Sequence, residues 1–289
     1  MKFYIVDVFT EQKYAGNQLA VVPDAGGLST EQMQQITREF NFSETTFITS
    51  EPGSAGGYPV RIFTPAEEVP FAGHPTVGTA WVIRNLLRGD ESPLITLDLQ
   101  VGPIPVTFAD NGSTTMTTQS PRFGNQVSLE PVAGVLGLAY GAIDTRFPVQ
   151  VVSTGLPALI VPVTNLGAVQ GVRVVAEKVE ALAQTTDIGK VILVFCPETV
   201  AQDAQLHVRV FCPLVDIPED PATGSANSCL AGYLVQYRYF QTDDIDIQVE
   251  QGLEIGRPSQ LHLQATKTNG QIHIQVGGHV QLIAEGRLH

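Results

Sequence analysis

A stretch of this chain is written twice. From Arg61 it reads R-I-F-T-P-A-E-E-V-P-F-A-G-H-P-T-V-G-T-A, and from Arg209 it reads R-V-F-C-P-L-V-D-I-P-E-D-P-A-T-G-S-A-N-S. Aligned without gaps, Arg61 meets Arg209, Phe63 meets Phe211, Pro65 meets Pro213 and Pro70 meets Pro218, while Ile62/Val210, Glu68/Asp216 and Val69/Ile217 are conservative pairs. A solenoid needs about three or more copies to bury a continuous core, so two copies point to a duplicated domain with two similar lobes. A weaker echo agrees: G-N-Q-L-A-V-V-P at 16–23 returns as G-L-P-A-L-I-V-P at 155–162.

Both copies share one local grammar. A short alternating strand (Val60 to Phe63; His207 to Phe211) leads through a proline-containing loop into a helix, predicted over Pro75 to Arg88 and over Ala222 to Tyr237. Proline suits a helix start, where its missing N–H has no intrahelical partner to lose. Gly78, Thr79 and Ala80, and then Gly224, Ser225 and Ala226, lack bulk and let another backbone or a ligand come close. Trp81, Val82, Ile83, Leu86 and Leu87 leave the first helix little polar face, and Leu230, Ala231, Leu234 and Val235 do the same for the second. A helix apolar nearly all round is buried, so each lobe is expected to wrap a sheet around one central helix. The exposed N–H groups and positive dipole end at Gly73-His74 and at Gly224-Ser225 would attract an anion.

Composition narrows the function classes. A chain of 289 residues fits one large domain or two lobes of ordinary size, and 43% hydrophobic with 16% charged residues is the composition of a folded protein, not a disordered segment. Its net charge of −13 repels phosphate backbones and argues against nucleic-acid binding. The longest apolar runs fall far short of the ~20 residues that span a bilayer. Asp7 interrupts what a signal peptide would need as its apolar core, so a cytoplasmic location is expected. Cys196, Cys212 and Cys229 are an odd set with no C-x-x-C spacing, and read as buried reduced thiols.

The remaining pattern places the lobes. Ser29 and Gln32 have capping-box spacing at the start of a helix that carries Met33, Ile36 and Phe40 on one edge. Phe42 to Thr49, Ile95 to Leu99, Ile104 to Ala109 and Thr114 to Thr118 read as strands, with a hairpin at Asp110-Asn111-Gly112. The N-terminal lobe is set at 1–118, completed by the last residues at about 284–289, and the C-terminal lobe at 119–283, with 119–126 as the linker and hinge. In the second lobe, helices are expected over 128–138 and 175–184, and strands over 191–195, 245–249, 259–266, 271–276 and 279–284.

Glu44 marks the sharpest asymmetry between the copies, because the corresponding stretch Lys190 to Val194 is apolar where it would fall. A carboxylate at a strand edge beside a dry cleft has its charged form disfavoured, which raises its pKa toward acid/base use; the alternative is a solvated or capping glutamate. By the ungapped offset Asp220 pairs with Ala72 and His74 with Ala222, just before the two central helices. An N-cap role for Asp220 and a structural role for His74 stand beside the functional ones. His207, His262 and His273 lie in alternating strand patterns, as does His279, and none has metal-ligand spacing. No nucleotide-binding or nucleophile-elbow motif occurs.

Taken together, D-V-F-T at 7–10, G-N-Q-L-A-V-V at 16–22, F-S-E-T-T-F-I at 42–48, G-H-P-T-V-G-T-A at 73–80, D-P-A-T-G-S-A at 220–226 and Q-G-L-E-I-G-R-P-S at 251–259 resemble the phenazine biosynthesis PhzF-like family. That family is similar in fold to diaminopimelate epimerase and the proline racemases. The resemblance implies an α+β fold of two pseudo-symmetric lobes, an active site between them, and isomerase chemistry with neither metal nor organic cofactor. It implies Glu44 as general acid/base, His74 and Asp220 as residues that bind substrate and assist proton movement, Ser225 and Asn17 as substrate contacts, and Gly73 and Gly224 as backbone N–H donors. A homodimer and a small carboxylate substrate, such as trans-2,3-dihydro-3-hydroxyanthranilate, follow from the same resemblance. Racemases of this fold carry a thiol at the head of each central helix, where this chain reads Gly73 and Pro221. One carboxylate working on one face moves a proton from carbon to carbon instead of inverting a centre. A racemase or epimerase using other bases, and a catalytically silent ligand-binding protein, are the rival readings.

Overall fold

The structure, a computed structural model, describes residues 1–54, 56–215 and 217–289. Asp216, matched above with Glu68, lies outside the described residues. In chain order the elements are β1 (Lys2–Val8), β2 (Asn17–Val22), α1 (Thr30–Phe40), β3 (Glu44–Ile48), β4 (Tyr58–Phe63), β5 (Glu68–Val69), α2 (Gly73–Val82), β6 (Leu94–Leu99), β7 (Gly102–Phe108) and β8 (Thr114–Thr117). There follow β9 (Arg122–Gln126), α3 (Leu129–Leu136), β10 (Gln150–Ser153), β11 (Pro157–Pro162), α4 (Leu166–Gln170), α5 (Ala176–Thr185), β12 (Val191–Cys196), β13 (Leu206–Cys212), β14 (Ile217–Asp220), α6 (Gly224–Gln236), β15 (Asp244–Gln251), β16 (Ser259–Thr268), β17 (Gln271–Gly278) and β18 (Val280–Arg287).

The chain divides into two compact units, Met1–Thr117 with Gly277–His289, and Thr118–Val276. The return of the C-terminus into the first unit begins at Gly277, earlier than 284, because β18 pairs along its length with β1, from Val8↔Val280 to Lys2↔Arg287. Residues 122–126, expected as a linker, form a strand. Its partner is β10, through Ser153↔Arg122 and Gln150↔Gln126.

In the first unit, mixed sheet wraps α2, which touches β1, β2, β3, β6, β7, β8 and β18. The parallel pair β2·β3 and the antiparallel pairs β1·β2 and β3·β4 make up much of it. The amphipathic α1 lies outside, packing Met33 on Phe47 and Phe63. Its capping box is present: Ser29 Oγ accepts from the Gln32 amide at 3.3 Å, and Gln32 Oε1 accepts from the Ser29 amide at 2.9 Å. The end of the first central helix departs from expectation, since Ile83–Arg88 widens into a π-helix.

The second unit repeats the scheme around α6, which touches β10, β11, β12, β15 and β16 and is buried from Gly224 to Val235. Helices α3 and α5 cover the outer face, where Val132, Leu136 and Val179 join Leu159, Val161 and Val194 in one core. The pair β11·β12 is parallel, like β2·β3.

Side-chain geometry confirms the duplication and corrects its alignment. Arg61 grips Glu68 with Nε to Oε1 at 2.8 Å and Nη2 to Oε2 at 2.6 Å, and Arg209 grips Glu219 in the same two-pronged way at 2.9 and 2.7 Å. Glu68 lies seven positions after Arg61, but Glu219 lies ten after Arg209. The second copy therefore carries a longer loop after Pro213. Past it, Glu219 answers Glu68, Gly224 answers Gly73 and Ser225 answers His74. The expected pairings of Asp220 with Ala72 and of His74 with Ala222 are thereby overturned. The N-caps of the two central helices are Ala72 and Thr223.

Candidate active site

In the first unit, three expected residues come together. Glu44 opens β3, Asn17 opens β2, and His74 is the second residue of α2. The parallel pairing Leu19↔Glu44 places the carboxylate at the strand edge beside the head of the helix. Helix α2 is seated tightly: the Thr46 and Thr79 hydroxyls meet at 2.7 Å, and Thr76 Oγ1 donates to the Ala72 carbonyl at 2.7 Å.

Asn17, His74 and Glu44 line up. The Asn17 side-chain amide meets His74 Nδ1 at 3.1 Å, and His74 Nε2 stands 3.5 Å from Glu44 Oε2. With Asn17 Nδ2 as the donor, the ring carries its proton on Nε2, toward the carboxylate. His74 Nε2 and Glu44 Oε2 are both shut off from solvent. Burial pushes the His74 imidazole down to about 3, offset only in part by the backbone of Gln18. His74 is therefore neutral at ordinary pH, and offers Glu44 a hydrogen-bonding group without positive charge.

The duplicated position explains why the second unit has no such carboxylate. In β11·β12 the pair that answers Leu19↔Glu44 is Ala158↔Val191. Val191 is buried and apolar.

In the second unit, Asp220 ends β14 and is buried, 6% exposed. Thr223, the N-cap of α6, donates its hydroxyl to Asp220 Oδ2. The N-cap of α6 is Thr223, not Asp220, and the Thr223 side chain makes no cap bond. Gly224 and Ser225 open the helix as Gly73 and His74 open α2. No acidic side chain occupies the first turn of either helix.

The cysteines are free and buried, as expected. Burial pushes the thiols of Cys196 and Cys229 up to about 11, so both stay protonated and are poor bases. Among the described residues no group of three or more His, Cys, Asp or Glu side chains is placed to hold a metal ion, and no helix is long and apolar enough to cross a membrane.

Sequence reasoning passed over His207. The parallel pairing His207↔Glu250 brings it beside two glutamates: its Nδ1 lies 2.6 Å from Glu250 Oε1 and its Nε2 2.9 Å from Glu254 Oε1. Burial lowers the imidazole pKa, but the bonds to Glu250 and Glu254 outweigh that and raise it to about 9. Glu250 also accepts the amides of Val200 and Ala201 at 2.6 and 2.8 Å. The signal for this ionic group was the pair of acidic residues Glu250 and Glu254 in the run V-E-Q-G-L-E.

Comparison with known proteins places these observations. The sequence model of the family described as phenazine biosynthesis-like protein matches residues 6–286. An uncharacterised isomerase of Mesorhizobium japonicum is 35% identical, over 99% of this chain and 98% of its own. The trans-2,3-dihydro-3-hydroxyanthranilate isomerase of Pseudomonas aeruginosa is 30% identical, over 99% and 98%. The crystal structure of a phenazine biosynthesis protein of the PhzF family from Bacillus anthracis superposes with a TM-score of 0.89 at 27% identity, covering 100% of this chain and 99% of that one.

Proposed function

The chain belongs to the phenazine biosynthesis-like protein family and is an isomerase, and from that premise we propose that it shifts a proton between two carbons of a small carboxylate substrate. Glu44 is the base. Its carboxylate takes a proton from a carbon whose electron pair passes into the adjoining π system, and the resulting acid returns a proton to another carbon on the same face. Atoms and electrons balance without an oxidant. Neutral His74 orients Glu44 and the substrate through hydrogen bonds, and Asn17 holds the ring. In the second unit Asp220 and Ser225 are substrate residues, and in each unit the amide at the helix head, Gly73 or Gly224, is a donor suited to a carboxylate.

One observation carries this reading. The carboxylate Glu44 at the head of β3 is aligned with a neutral histidine, while its counterpart is Val191. Racemisation uses an acid and a base on opposite faces of a carbon, whereas a single carboxylate serves a one-face transfer. Cys229, within α6, is buried and protonated, which speaks against a thiol pair.

The test is to offer purified protein trans-2,3-dihydro-3-hydroxyanthranilate, the substrate named for the Pseudomonas aeruginosa relative, in deuterated water beside Glu44→Gln, and to follow both by NMR. Product with deuterium at the accepting carbon, absent with Glu44→Gln, is the expected result. Equal turnover by the variant removes Glu44 from the chemistry. No turnover by either protein removes this substrate and directs a screen of other small carboxylates.

A further inference from the structure

The block Q-G-L-E-I-G-R-P-S at 251–259 has no part in the chemistry just described, yet its first residue closes on Asp220. Gln251 ends β15 and is fully buried. Its Nε2 donates to the Asp220 carbonyl at 2.8 Å and to Thr223 Oγ1 at 3.1 Å. Its Oε1 accepts from the Thr223 amide at 3.3 Å and from Asn227 Nδ2 at 2.8 Å. Two of these four partners are backbone groups, a carbonyl that only accepts and an N–H that only donates. They admit one orientation of the side-chain amide, since the flipped one would set oxygen against carbonyl and N–H against N–H.

That orientation fixes a hydroxyl. Thr223 Oγ1 receives an N–H from Gln251, so its own hydrogen is directed elsewhere, and the acceptor in place is Asp220 Oδ2. The order of donation runs Gln251 to Thr223 to Asp220, each bond polarising the next. The rest of the block holds Gln251 in place. Gly252 has φ +80°, and a Cβ there would lie 2.4 Å from the Arg257 carbonyl oxygen and 2.5 Å from that of Pro221. Only glycine lets the strand end pack on the Asp220-Pro221 turn.

We propose that Gln251 is a positioning residue: it aims the Thr223 hydroxyl at Asp220 and sets the Asp220–Thr223 turn for substrate. The proposal rests on the role of Asp220 in the function above, and its test separates the two.

The variants are Gln251→Met, which removes both donors and acceptor at similar volume, Thr223→Val, which removes the hydroxyl alone, and Thr223→Ser, which keeps it. In protein labelled with 13C at the aspartate carboxyls, the Asp220 resonance is assigned with Asp220→Asn and read without substrate. Gln251→Met and Thr223→Val should move it in the same direction, and Thr223→Ser should leave it within the wild-type range. With substrate, Gln251→Met and Thr223→Val should each lower kcat/KM about 10- to 100-fold, the loss expected for one hydrogen bond to a charged group, and the double variant should be no worse than the poorer single one. Thr223→Ser should recover most of the activity. An unmoved Asp220 resonance in folded Gln251→Met, or fully additive losses, overturns the proposal. If Gln251→Met does not fold, Gln251→Asn, one methylene too short to reach the same partners, takes its place in both readouts, with the same results overturning the proposal. A moved resonance with unchanged turnover upholds the clamp and removes Asp220 from the reaction.

Discussion

His74 Nε2 stands 3.5 Å from Glu44 Oε2, both buried, and the imidazole of the pair is neutral. The contact is not an ion pair, and at 3.5 Å it is an approach rather than a formed hydrogen bond, so its use to the reaction differs from that of a cation beside a base.

The His74 ring should stay neutral between pH 5 and 8, because burial takes its pKa to about 3. The sign for stability follows. Below about pH 6.5 the unfolded chain takes up a proton that folded His74 refuses, so this residue destabilises the fold as pH falls from 6.5 toward 3. 15N NMR of the histidine rings should show His74 as an Nε2–H tautomer with no titration in that window, and Asn17→Leu should release the tautomer. A His74 signal titrating near 6.5 refutes the neutral pair.

Glu44→Gln keeps the shape of the side chain and removes the base. Loss of a positioned acid/base group costs about 10²- to 10⁴-fold in rate. kcat should fall by that order, while the thermal midpoint stays within a few degrees of wild type.

His207 carries the opposite pH dependence. Its pKa is raised to about 9, so the stability gained by charging it is full below about pH 6.5 and is lost as pH rises through 9. Burial raises the pKa of Glu250 and of Glu254, but the bond and charge of His207, joined by the amides of Val200 and Ala201 at Glu250 and by the Arg209 charge at Glu254, together outweigh it and both are lowered. Their share is therefore present above the ordinary value of 4.5 and is lost as pH falls through the lowered one. Urea midpoints measured from pH 4 to 10 should fall between pH 7 and 9 in the wild type. In His207→Leu that alkaline fall should vanish, with stability lower by about 3 kcal/mol at neutral pH because the buried Glu250 loses its counter-charge and the partly buried Glu254 keeps only Arg209 at 3.9 Å.

Gly78→Ala reverses the usual effect of that change. In an open helix alanine would stabilise by about 0.5–1 kcal/mol. At Gly78 a Cβ would sit 2.6 Å from Leu19 Cδ2 and 2.8 Å from Val8 Cγ2. Overpacking costs about 1–3 kcal/mol, so the thermal midpoint should drop, and Gly78→Ala with Leu19→Ala should lose less than the two single changes added together.

The duplication, the fold class and two buried central helices were legible in the order of residues alone. Each depends on local pattern: strand alternation, small residues at helix heads, and apolar residues around the whole helix. The place of Glu44 was legible for the same reason, because the parallel strands of both units start from a shared motif and only one of them starts with a carboxylate. The rest was decided by tertiary structure. Ungapped alignment matched Glu68 with Asp216, whereas Arg209 pairs with Glu219, since extra loop residues cost little and a two-pronged arginine–carboxylate contact demands a particular geometry. Asn17 on His74, Glu250 on His207 and Gln251 on Thr223 join residues 57, 43 and 28 positions apart. No local propensity links such residues. They meet because strand pairing and the closing of a sheet on a helix bury their polar atoms together, and buried polar atoms must find partners.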